Sequence, residues 1–147
     1  MNVKIDTSEY ISDLKEMVED GHEVVITVAG WSMTPFLRHQ RDRVLLKKPL
    51  RPLKADDIVF YQRKSGQFVL HRIYKVKPDG YYMMGDHQLA WEGPIESDAV
   101  FAIVAEVERN GRWISTEARS WKFVSFLWRI FYPLRKFAYL ARKAVRK

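Results

Sequence analysis

The chain has 147 residues, 47% of them hydrophobic, which suits one domain-sized core. It contains no cysteine, and this excludes a disulfide framework, a thiolate metal site and a cysteine nucleophile. The net charge of +7 is uneven: residues 119–147 carry nine Lys or Arg and no acid, while the first 118 residues sum to −2. An anionic partner would therefore be drawn to the tail.

The first element is "SEYISDLKEMVEDG", whose spacing predicts a short helix. Thr7 or Ser8 would cap it, Tyr10, Ile11, Leu14, Met17 and Val18 would form its apolar face, and Gly21 would end it. No second helix follows at helix-turn-helix distance, so a DNA-reading headpiece is not expected. The segment "MNVKIDTSEY" lacks the apolar stretch of an export signal, and no run approaches the ~18 residues that span a bilayer.

From Glu23 to Ile114 the pattern becomes short β-type runs: "HEVVITVA", "RVLLKK", "DIVFYQR", "FVLHRIYKV", "GYYMM" and "VFAIVAEVE". Turn chemistry separates them at "KSGQ", "KPDG", "EGP" and "RNG". Asn110-Gly111 suits a type I′ hairpin. The fold class expected is mostly β (α+β), a coiled or barrel-like antiparallel body over residues 1–118.

Residues 119–147 return to helical periodicity. Phe123, Phe126, Leu127, Ile130, Phe131, Leu134 and Phe137 share one face, and Lys122, Arg129, Lys136 and Lys143 run along the other, flanked by Arg135, Arg142 and Arg146. Trp128, Tyr132 and Tyr139 fall on the polar side, suited to a headgroup boundary, and Pro133 should kink the helix or start a second one. Lys122, Phe126, Trp128, Arg129, Arg135 and Lys136 are the expected contacts with an anionic membrane surface. The other reading packs the Phe-rich face on the β body. Nucleic acid is not an expected partner, since no docking module stands beside the helix.

Two residues stand out chemically. Ser32 lies in the turn "GWSMTP", where Gly30 and Pro35 can lift its hydroxyl out of the sheet. His71 lies inside the strand "FVLHRIYKV" between apolar neighbours. A serine hydroxyl needs a base, and an imidazole with an ordinary pKa near ~6.5 needs little tuning for that work. Taken singly, each is an ordinary turn or strand residue.

The segments "GWSMTP", "DDIVFY", "VLHRI" and "YYMMGDHQ" occur in the order and approximate spacing of the S26 signal-peptidase superfamily, within the S24/S26 group. The chain resembles that superfamily over residues 24–107. The resemblance implies a β fold with a serine-based dyad, cleaving after small residues in an extended peptide. It implies Ser32 as nucleophile, with the Ser32 N–H as an oxyanion donor and Gly30, Met33 and Pro35 shaping turn and pocket. Position 71 is lysine in the eubacterial signal peptidases and self-cleaving repressor types, so His71 points to the histidine branch. Asp86 matches the "GD" motif aspartate, and Glu92 stands near the position of that branch's triad acid. The chain departs from the pattern in "GDHQ", in Glu92 for an aspartate, and in Gly30 where many members carry a hydroxyl.

The function expected is a serine endopeptidase that processes a leader or signal-like peptide on the cytoplasmic side of a membrane, without cofactor or metal. The alternatives are a peptide-binding adaptor of the same fold and a protein that cleaves itself.

Overall fold

The computed structural model describes residues 7–145, and side chains from residue 10 onward. The cap assigned to Thr7 or Ser8 and the flanking Arg146 lie outside what is described. Helix α1 (Thr7–Glu19) is followed by β1 (Val24–Thr27), β2 (Arg43–Lys47), β3 (Ile58–Gln62), β4 (Phe68–Lys77) and β5 (Gly80–Met84). Then come β6 (Glu92–Ile95), β7 (Val100–Arg109), β8 (Arg112–Ser115), α2 (Arg119–Ile130) and α3 (Tyr132–Val145).

All eight strands join one antiparallel sheet in the order β1-β2-β7-β3-β4-β5-β6, with β8 also on β7. Irregular registers in β2–β7, β3–β7, β4–β5 and β5–β6 bend it, which gives the coiled body expected from short strands. The β7–β8 turn has both Asn110 and Gly111 at positive φ, as a type I′ hairpin requires. One expectation fails. "EGP" is not a connection but the body of β6, an edge strand, where the missing N–H of Pro94 is tolerated.

Alternation divides the core in two. Ile58 and Phe60 of β3 join Leu14 and Val18 of α1, with Met33 and Phe36, in the larger cluster. Val59 and Tyr61 join Ile73, Met83 and Val100 in the smaller one. Of the apolar face assigned to α1, Leu14 and Val18 are buried and Ile11 packs against them, while Tyr10 and Met17 are exposed at its margins.

Pro133 lies in the first turn of α3, just after the break from α2 at Phe131. The inward stripe of this helix pair is Trp121, Ser125, Trp128, Tyr132 and Arg135. Phe123, Leu134 and Phe137 are 61%, 61% and 73% exposed, so the Phe-rich face does not pack on the β body. Among the described residues no helix is long and apolar enough to cross a membrane.

Candidate active site

The Ser32 turn is pinned from below and from the side. Met33, Phe36 and Leu37 bury their side chains in the larger core, so the turn cannot lift away without exposing them. Beside it, the Ser32 carbonyl accepts a 2.8 Å hydrogen bond from the His87 N–H. Gly85 packs against the same carbonyl so closely that a Cβ there would come 2.5 Å from its oxygen. The glycine of "MMGDHQ" is therefore required by the backbone of the serine turn.

Strand register decides which acid can serve His71. On β3–β4, His71 pairs with Val59 and Arg72 with Ile58, so the two side chains leave opposite faces of the sheet. Tyr61 shares the His71 face as its diagonal neighbour across the strand pair. On β5, Met83 pairs with both Ile73 and Glu92, which brings Glu92 to that face too. Met84 pairs with Arg72, and Asp86 follows on the Arg72 face.

The side chains obey this parity. Tyr61 Oη lies 3.3 Å from His71 Nδ1 and also bonds to Glu92 Oε1. Glu92 Oε1 is 3.9 Å from His71 Nδ1. Arg63 Nε and Nη2 hold the Glu92 carboxylate at 2.8–3.1 Å. Burial pushes the His71 pKa down from 6.5 to about 4, with Glu92 opposing and Arg63 adding to the fall. Enclosure between the strands thus keeps the imidazole neutral well below the ordinary histidine range. Burial works against the Glu92 carboxylate, yet hydrogen bonds from Arg63 and Tyr61 outweigh it and lower its pKa.

Asp86 is occupied elsewhere. Arg72 grips it through Nε at 2.7 Å and Nη2 at 2.9 Å, both side chains being buried. The same guanidinium lies 4.6 Å from the centroid of the Phe36 ring, beneath the serine turn. The Asp86 carboxylate thus spends its bonds on Arg72 and makes no hydrogen bond to His71.

The helix pair closes over this ion pair from outside. Trp128 Nε1 and Arg135 Nη1 donate to the Asp86 carbonyl at 3.0 and 3.1 Å, and the Tyr132 hydroxyl donates to the Leu89 carbonyl at 2.6 Å. Arg129 Nε reaches Asp56 Oδ1 at 2.8 Å. Three expected membrane contacts, Trp128, Arg129 and Arg135, are thus turned toward the body. Periodicity ranks hydrophobicity, and it overlooks polar tips that match exposed carbonyls. Lys122, Phe126 and Lys136 remain exposed, Lys122 in an ion pair with Glu117.

Ser32 and His71 line one cleft of about 260 Å³, together with Gly30, Met33, Arg63 and Gln88. They make no hydrogen bond to each other here. The Ser32 N–H donates to no acceptor among the described residues, whereas the Gly30 N–H is taken by His39 Nδ1 at 2.7 Å. Gly30 shapes the cleft through a φ of 93° but supplies no free oxyanion donor. Pro35 is exposed and stands outside the cleft, shaping the turn alone. His71 also lines a second cleft, of about 790 Å³, with Asp86, Glu92, Trp91, Trp128 and Arg135.

Sequence reasoning missed Tyr61 and Arg63. Both lie at a parity with His71 that the strand pattern contains once β3 and β4 are placed in register.

A family model described as Peptidase S24-like matches residues 2–107, which takes in α1, the Ser32 turn, His71 and Glu92 but not the C-terminal helices α2 and α3. No curated protein matches the chain.

Proposed function

The chain belongs to the Peptidase S24-like family, and from that premise we propose a serine endopeptidase of the histidine, signal-peptidase-like kind. Ser32 Oγ attacks the scissile carbonyl, a ring nitrogen of His71 takes its proton, and the free Ser32 N–H meets the developing oxyanion. His71 then returns the proton to the leaving amine, and water releases the acyl group from Ser32. The observation that carries this reading is the single cleft shared by Ser32 and a buried, neutral His71.

An extended peptide suits this cleft. Residues 28–30 form one wall and residues 68–70 of β4 another. β4 pairs with β5 only from Arg72 onward, so its first residues have a free edge on the side away from β3. A peptide strand added there gains backbone hydrogen bonds irrespective of its side chains. A leader or signal-like peptide, extended and of variable sequence, is the substrate class we favour.

The same reading puts the protein at an anionic membrane surface. The exposed Phe123, Phe126, Ile130, Leu134 and Phe137 supply apolar area, and Lys136 and Lys143 supply charge beside it.

A serine-directed phosphonate probe tests the chemistry. The expected result is a covalent adduct on Ser32 that disappears in Ser32→Ala and slows strongly in His71→Ala. Absence of any adduct on the intact protein, beside a serine peptidase that reacts in the same tube, would overturn the proposal.

A further inference from the structure

The third group of the site is not a carboxylate against the imidazole but a phenol between the two. Tyr61 is wholly buried, its ring packed with Val59, Ile73 and Met83, so its hydroxyl has a fixed position. That hydroxyl has one proton and three polar neighbours: His71 Nδ1, Glu92 Oε1 and the guanidinium of Arg63, which can only donate. An ionised carboxylate only accepts, so the Tyr61 proton points to Glu92, and the phenol oxygen is left to accept from His71.

We infer that Tyr61 is a positioning residue that, backed by Glu92 and Arg63, fixes the proton of His71 on Nδ1 and keeps Nε2 as the base toward Ser32. This rests on the peptidase reading for its function, though not for its geometry. Charged groups facing the pair are few: Glu92 from β6 and Arg63 just after β3. During attack the Ser32 proton moves to Nε2 as the Oγ–carbon bond forms, and Nδ1 keeps its own proton. The imidazolium is then stabilised through the Tyr61 dipole and the Glu92 charge 3.9 Å away, which Arg63 partly offsets. No proton need leave Tyr61, whose pKa is raised by burial and then by Glu92.

The arrangement explains why Glu92 can stand in for an aspartate. Its longer side chain meets Arg63 and Tyr61 at the rim, and Tyr61 spans the remaining distance to His71.

The test is the tautomer of His71, read by ¹⁵N NMR on the intact protein at pH 7, with His71→Gln to assign its signals. The expected spectrum has a protonated Nδ1 and an unprotonated Nε2, and in Tyr61→Phe it moves toward the opposite tautomer or a mixture. In turnover of an extended peptide, Tyr61→Phe should lower kcat at least about 10-fold with KM nearly unchanged. A wild-type His71 with its proton on Nε2 overturns the inference, and so does a Tyr61→Phe protein with unaltered tautomer and kcat. The wild-type spectrum needs neither a variant nor activity, so it separates failure of this inference from failure of the peptidase reading.

Discussion

Glu92 approaches His71 alongside Tyr61: its Oε1 lies 3.9 Å from His71 Nδ1, and the Tyr61 hydroxyl bonds to both groups. Asp86, closer to the serine turn in the chain, is turned to the other face and held by Arg72. The two acids therefore answer to different measurements.

Removing Asp86 should unfold more than it inactivates. Asp86→Ala leaves the buried Arg72 charge unpaired, which typically destabilises by about 3–5 kcal/mol. Urea denaturation should show that loss.

Removing Glu92 should do the reverse. Its carboxylate is half-exposed and its Arg63 pair is open to solvent, so Glu92→Gln should shift stability by no more than about 1 kcal/mol. Its effect belongs in kcat, with KM held, in a peptide-cleavage assay. A Glu92→Gln protein with full kcat would remove it from the site.

The pH dependence follows from His71. Its folded-state pKa of about 4 lies below its ordinary 6.5. The base is therefore neutral across the physiological range, and the acid limb of kcat/KM should fall near pH 4. The same shift bears on stability. Between those two values the unfolded chain binds the proton that the folded chain refuses. Stability present above pH 6.5 is lost as pH falls toward 4, by on the order of 3 kcal/mol. His71→Gln should flatten that part of the urea-midpoint profile relative to wild type.

Gly85 should be intolerant of the smallest addition. In Gly85→Ala the new methyl meets the Ser32 carbonyl at 2.5 Å, so the serine turn must move. Overpacking of this kind costs about 1–3 kcal/mol, and activity should fall further than stability because the displaced group is the nucleophile's own backbone. Labelling of Ser32 by the phosphonate, compared with thermal unfolding, separates the two effects.

The helix pair should divide by face. Phe137→Glu changes a side chain that is 73% exposed, so it should leave unfolding within about 0.5 kcal/mol while reducing flotation with anionic vesicles. Trp128→Ala loses a ring packed on Phe36 and a hydrogen bond to the Asp86 carbonyl, and should destabilise by about 2 kcal/mol. Flotation of Phe137→Glu equal to wild type would count against membrane docking by this face.

Local chemistry makes much of this protein legible in its sequence alone. Six β-type runs, the Asn110-Gly111 hairpin, the break at Pro133 and the marked positions of Ser32 and His71 follow from periodicity and turn preference. These are short-range effects, written within a few residues of where they act. What only the tertiary structure decided was pairing. Which acid faces His71, that Tyr61 stands between them, and that Trp128 and Arg135 lean on the Asp86 carbonyl all depend on strand register and helix docking. A change of register by one residue would exchange the faces of His71 and Arg72. That choice is made by burial summed over the whole sheet, and no single segment contains it.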